Sequence, residues 1–179
     1  MEYTNSLNRR GKRAQGLQTA AGPAIAVMGV GNLLLSDEGI GIHVLNGLHS
    51  RLKPERVQLI DAGTAPDVFS LVNPSVQSLI IIDAADASGE PGCIYLLHDE
   101  DIACASCAPV SLHDIGLAEN LAIMKHLNPG LQVSIIGIQP GSLEFGLEPT
   151  PVLKQRLPEL IGLVLEEIRK KDKFAEVNQ

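Results

Sequence analysis

Apolar runs of strand length alternate with segments of helical period along the chain. They predict a single α/β domain: a doubly wound, five-stranded, mostly parallel sheet with helices on both faces and one antiparallel edge strand. Three observations carry this. The runs "AIAVMGV" and "SLIIIDAAD" are apolar almost throughout, as strands buried on both faces must be. Aromatic residues make up 3% of a chain that is 45% hydrophobic and lacks tryptophan, so Ile, Leu, Val and Ala must build the core. The 179 residues fit one domain with a substantial core.

Residues 1–22 read as a mobile polar extension with Arg9, Arg10, Lys12 and Arg13. No apolar region follows that basic cluster, so it does not read as a secretory or twin-arginine signal. The α/β domain spans 23–172, and 173–179 form a tail. The first strand covers 24–30. The first helix is expected from about Asp37 to Leu52, with Ser36 as N-cap and the stripe Ile40, Val44, Leu48, Leu52 facing the core. Asp37 and Glu38 fall in its first turn, where the helix dipole favours negative charge. Gly39 and Gly41 let it approach the sheet closely.

The second strand is Val57–Gly63. A short helix is expected between Pro66 and Asn73-Pro74, and the third strand runs from Ser78 to about Asp83. "CIYLLH" alternates more weakly and goes to an edge. Residues 99–110 are expected as a loop, with the acidic "HDED" solvated. "SLHDIGLAENLAIMKHL" reads as a helix, with Ser111 and Asp114 in the manner of a capping box. The fifth strand is Gln132–Gln139. The last helix has Thr150 as N-cap, Pro151 as its first residue, and Arg169, Lys170 and Lys171 at its C-terminus.

A net charge of -7 argues against a general nucleic-acid binder and against an anionic membrane surface. No apolar run approaches the ~18 residues of a membrane span. The three cysteines, Cys93, Cys104 and Cys107, suit a reducing cytoplasm better than a disulfide framework. A monomer is expected. The turn Gly29-Val30-Gly31 begins like a dinucleotide-binding loop, yet the third glycine position holds Leu34. Asp37 and Glu38 would also repel a phosphate at the helix start.

In an open α/β sheet, ligands bind outside the C-terminal strand ends. The polar residues brought there are Asn32, Asp37 and Glu38, then Asp61 and Thr64, then Asp83 and Asp86, with His113 ahead of the third helix. Two carboxylates and an imidazole suit a divalent transition ion with open coordination positions. Each residue has a plainer reading. Glu38 can serve the dipole, Asp83 a turn, His113 a helix start and Asp61 its own loop. His43 reads as a packed helix residue, and His49 and His126 as exposed ones. Cys104 and Cys107 form a C-x-x-C that could hold zinc with His113 and a fourth ligand.

The blocks "GVGNLLLSDEGIGIHVL", "LIDAGTA", "LIIIDAAD", "GEPGCIYLL", "SLHDIGL" and "IIGIQPGSLEFGLEPTPVL" occur in this order. In that order they resemble the hydrogenase maturation endopeptidases. The resemblance covers roughly residues 25–165. It implies a metal-dependent peptidase that removes a C-terminal extension from the precursor of a nickel-containing hydrogenase large subunit. It places the metal-binding and catalytic positions on Glu38, Asp83 and His113. It also implies that the nickel arrives with the precursor, while zinc or cadmium can occupy the site in vitro. Gly31, Asn32, Asp61, Gly63 and Thr64 would line the cleft and hold the incoming segment. Ala62 stands where the family often has glycine. The rival reading is a metal-binding or metal-delivery module without peptidase activity.

Overall fold

A computed structural model describes residues 22–53, 55–65, 69–103 and 115–177. Five strands, β1 (Ile25–Val30), β2 (Val57–Gly63), β3 (Ser78–Ala84), β4 (Ile94–His98) and β5 (Gln132–Ile138), form one sheet in the order β2-β1-β3-β5-β4. All neighbours are parallel except β4, which runs antiparallel to β5 at the edge. The connection 85–93 is too short for the helical crossover that a parallel return needs, so β4 folds back. The predicted class, strand count and antiparallel edge are those of the molecule.

The period-2 alternation of the strands divides the core in two. Ile25, Val27, Ile80, Ile82, Ile136 and Ile138 face α1 (Ile40–Leu48) and α4 (Pro151–Val177). Ala26, Met28, Leu79, Ile81, Val133 and Ile135 face the opposite way, against Leu121 and Met124 of α3 (Ile115–Leu127). Gly41 sets the first of these contacts. A Cβ there would lie 2.4 Å from the Ile82 carbonyl and 2.6 Å from that of Val30, so α1 rests directly on the sheet backbone.

Several local expectations are corrected. Ser36 does not cap α1. It opens a 3-10 turn, Ser36–Gly39, with a left-handed φ of 49°, and its hydroxyl donates to the Glu148 carbonyl at 3.1 Å. The α-helix starts only at Ile40 and ends at Leu48, although Leu52 still packs on the core. "HDED" is not a solvated loop: Asp99–Ala103 form a short helix, α2. Asp101 accepts from the His98 amide at 3.0 Å, the reciprocal half of a capping box, and Asp99 accepts from the Val133 amide at 3.1 Å and from Lys125. The segment from Pro66 contributes a 3-10 turn at Phe69–Leu71. The basic run Arg169–Lys171 does not end α4. Lys170 pairs with Glu166 and Glu167 one turn earlier, and the helix continues to Val177, into the expected tail. The expected 1–22 extension, save Gly22, and Ser111, Asp114, Cys104 and Cys107 lie outside the described residues.

Glu167 ties α4 to the sheet edge. It is only 1% exposed, and its carboxylate lies 2.9 Å from Lys170 Nζ, 3.3 Å from His98 Nε2 and 3.5 Å from Ser134 Oγ. Burial pushes its pKa up. Hydrogen bonds from Lys170 and His98 outweigh burial and hold it below the ordinary 4.5. A lowered folded-state pKa means that the unfolded chain takes up this proton first as pH falls. The stabilisation is therefore complete above about 4.5 and lost below it.

Two outcomes follow. Glu167→Gln should lower the urea unfolding midpoint at neutral pH, and the gap from the parent should narrow as the titration passes below about 4.5. Gly41→Ala should overpack the α1–sheet contact and cost about 2 kcal/mol by the same measurement.

Candidate functional site

The strand order reverses around β1: β2 lies on one side and β3 on the other. A crevice forms at such a switch point, outside the C-terminal strand ends. The cleft found there is about 180 Å³. Val30 and Gly31 line it from the end of β1, Gly63 and Thr64 from β2, Asp83 and Ala84 from β3, and Pro140 and Leu143 from the segment after β5. Glu38 enters from the 3-10 turn after β1.

The structure thus brings Glu38, Asp83, Gly31, Gly63 and Thr64 to one cavity. Asp83 follows Ile82, the last β3 residue paired with β1, and is 8% exposed. The alternation of β3 puts it on the face that α3 covers. Glu38 is half-buried. Its backbone is fixed by Gly31, whose φ is 126° and whose position leaves no room for a side chain: a Cβ would sit 1.8 Å from the Glu38 carbonyl oxygen. The Gly31 amide donates to the Gly63 carbonyl at 2.9 Å, joining the ends of β1 and β2. The pairing shifts by one residue just before this bond, between Gly29↔Asp61 and Val30↔Gly63, so Ala62 is the bulged residue.

Asn32 and Asp61 are not among the lining residues. The Asn32 side chain accepts from the Leu34 amide and that of Asp61 from the Gly63 amide, both at 3.0 Å, so each carboxamide or carboxylate holds its own turn. His113 lies outside the described residues. Among the described residues, no group of three or more His, Cys, Asp and Glu side chains is arranged to hold a metal ion. Glu38 and Asp83 supply two oxygen donors of the hard, anionic kind that a divalent cation accepts. His49 and His126 are exposed, as read from the sequence. His43 is half-buried in α1, and its Nε2 has no hydrogen-bond partner among the described residues. Burial lowers its pKa, against the pull of Glu148.

The residue that organises the site is Asp37, which the sequence placed at the strand ends and in the first helical turn but not in a structural seam. Asp37 has no exposed surface. Its carboxylate accepts from the amides of Gly141 at 2.8 Å, Ser142 at 3.1 Å and Thr150 at 2.6 Å, and from the Thr150 hydroxyl at 3.0 Å. The Thr150 hydroxyl is therefore committed to Asp37. Backbone bonds extend the seam: the Ser36 amide to the Gly146 carbonyl at 2.7 Å, and the Gly146 amide to the Leu34 carbonyl at 2.9 Å. Residues 140–150 are thereby strapped across the turn that carries Glu38. Gln139, just before the strap, is buried and accepts from the Ala87 and Gly89 amides at 2.9 and 3.1 Å, fixing the loop after Asp83. Pro140 and Leu143 follow β5 at the same end of the sheet; being apolar, they carry no signal in a reading of strand ends for polar residues.

Asp37→Asn keeps the side chain's shape but replaces an acceptor with an N–H that faces other N–H groups. It should cost about 3 kcal/mol in urea unfolding. Hydrogen exchange should accelerate at Gly141, Ser142 and Thr150 relative to the strand amides.

Comparison with known proteins agrees with this architecture. The family model described as hydrogenase maturation protease matches residues 42–167, a span that includes Asp83 and His113 but starts after Glu38. The chain is 31% identical to the hydrogenase 2 maturation protease of Escherichia coli K12, over 81% of this chain and 90% of that protein. It is 32% identical to the coenzyme F420 hydrogenase subunit delta of Methanothermobacter thermautotrophicus, over 80% of this chain and 94% of that one. The solved hydrogenase maturating endopeptidase HybD of E. coli superposes with a TM-score of 0.69 at 30% identity, covering 82% of this chain and 93% of the other. By sequence and by fold, the chain belongs to the hydrogenase maturation protease family.

Proposed function

We propose that this protein is the endopeptidase that removes the C-terminal extension of a nickel-containing hydrogenase large-subunit precursor after nickel has been inserted. The observation that carries the reading is the meeting of Glu38 and Asp83 in one cleft at the sheet's switch point, in a chain of the hydrogenase maturation protease family. Two carboxylates in a confined cleft favour a cation over a phosphate. His113, two residues ahead of α3, is the third donor of this reading. Asp83 faces the side of the sheet that α3 covers, which supports that grouping.

The nickel belongs to the substrate. It supplies a Lewis acid beside the scissile bond, polarising the carbonyl or a water. The residues of this chain bind and orient. Glu38 and Asp83 recognise that the precursor carries its cation. Gly31 and Gly63 bring backbone to the cleft wall without side chains, which leaves width for an extended peptide. The strap holds Pro140 and Leu143 against the opposite side. Zinc or cadmium would occupy the same donors in vitro. The protein works in the cytoplasm as a monomer. Among the described residues, no helix is long and apolar enough to cross a membrane.

The test is cleavage of a nickel-loaded large-subunit precursor, followed by mass spectrometry. Glu38→Ala, Asp83→Asn and His113→Ala should each reduce kcat by about a hundredfold or more while leaving the unfolding midpoint near that of the parent. The nickel-free precursor should stay uncut. Full cleavage by these variants would sink the assigned site. Stoichiometric metal in the purified protein, with no shortening of the precursor, would favour the metal-delivery reading instead.

A further inference from the structure

The strap carries an apolar surface that the cleft alone does not use. Phe145 is 80% exposed and Leu147 62%, and beside them Leu34 is 51% and Leu143 46% exposed. The chain has only three phenylalanines, and this one is held out in solvent. Its backbone is pinned on both sides. Leu35 and Gly146 form a parallel bridge, Gly146 makes two backbone bonds to 34–36, and Asp37 holds Gly141, Ser142 and Thr150. Leu34 and Phe145 each precede a residue of this bridge and Leu147 follows it, so all three stand at the one seam. Leu143 also lines the cleft, so the surface continues into the site.

Contiguous exposed apolar surface of this kind marks an interaction site. Aromatic and large aliphatic anchors on a rigid support bind with little ordering cost. Glu144 and Glu148 flank the patch and are exposed, with Glu148 paired to Lys154 at 3.1 Å. Glu144 and the net charge of -7 disfavour an anionic lipid surface, and a second copy would bring the same charge against them. An apolar protein surface meets neither objection.

We propose that Leu34, Leu143, Phe145 and Leu147 form a docking platform for an apolar segment of the folded protein substrate, seated beside the cleft that its C-terminal segment enters. This rests on the function proposed above and deepens it. Docking of the substrate's body raises the local concentration of the scissile segment at Glu38 and Asp83. The peptidase then selects a folded precursor and not merely a short sequence.

The probe is the same nickel-loaded precursor, titrated to separate KM from kcat. The double variant Phe145→Ser/Leu147→Ser should raise KM by about tenfold or more with kcat within about twofold. Leu127→Ser, which alters a 74% exposed leucine at the far end of α3, should leave both unchanged. Equal unfolding midpoints show that the variants fold, and Phe145→Ala serves as a milder version if the double variant does not. An unchanged KM in the strap variants while the parent cleaves overturns the platform and leaves the peptidase standing. No cleavage by the parent overturns both. A parent dimer in sedimentation that the double variant dissolves assigns the patch to a second copy, and also overturns the proposal.

Discussion

Asp37 is a carboxylate with no solvent, which is costly unless hydrogen bonds replace the water. Here three amides and a hydroxyl do so, and all four donors come from the segment between β5 and α4. Charge-assisted bonds of this kind are stronger than neutral ones and more demanding in geometry. The turn after β1 and the strap after β5 are therefore fixed relative to each other. Glu38 is the next residue after Asp37, so the rigidity of the buried acid passes to the half-buried one. The two adjacent acids divide the work: one holds the frame and the other faces the cleft.

The second constraint is the contact between backbone and backbone at the sheet. Gly41 places α1 against the carbonyls of Val30 and Ile82, and Gly31 places the end of β1 against the carbonyl of Glu38. Both glycines matter through the side chain they lack. They bring the start of the helical segment to the crevice between β1 and β3, where Asp83 follows the last residue of β3 paired with β1. The strand order fixes that crevice, and the glycines make it narrow enough for both carboxylates to line one cavity.

Much of this was legible in the sequence because it follows from periodicity. Nearly continuous apolar runs gave β1 and β3, weak alternation gave the edge strand, topology then gathered Glu38, Asp83 and Thr64 on one rim, and the family resemblance added Gly31 and Gly63. What stayed hidden depended on partners far away in the chain. Nothing local distinguishes Asp37 from a dipole-serving acid, because its donors lie more than a hundred positions on, with a separation of 104 residues for Gly141. Ser36 had the identity of an N-cap, but its positive φ and its bond to Glu148 come from the same long-range seam. Asp99 looked solvated because its partners, Lys125 and the Val133 amide, lie 26 and 34 positions on, and the Asp101 bond to the His98 amide went unread because histidine is not among the usual N-cap residues. Asn32 and Asp61 stand at the strand ends, and each side chain also accepts a bond that shapes its own turn.

The seam between Asp37 and Thr150 spans 113 residues, and this bears on when the site comes into being. Contacts so far apart form late, after the loop-closure entropy of the intervening chain has been overcome by the packed sheet. During synthesis, the turn bearing Glu38 emerges long before the strap that braces it. A chain that has made β1 to β3 holds the acids but lacks the cleft's opposite wall. On the function proposed above, cleavage then requires completion of the whole domain, because the cleft has both walls only when the strap is in place.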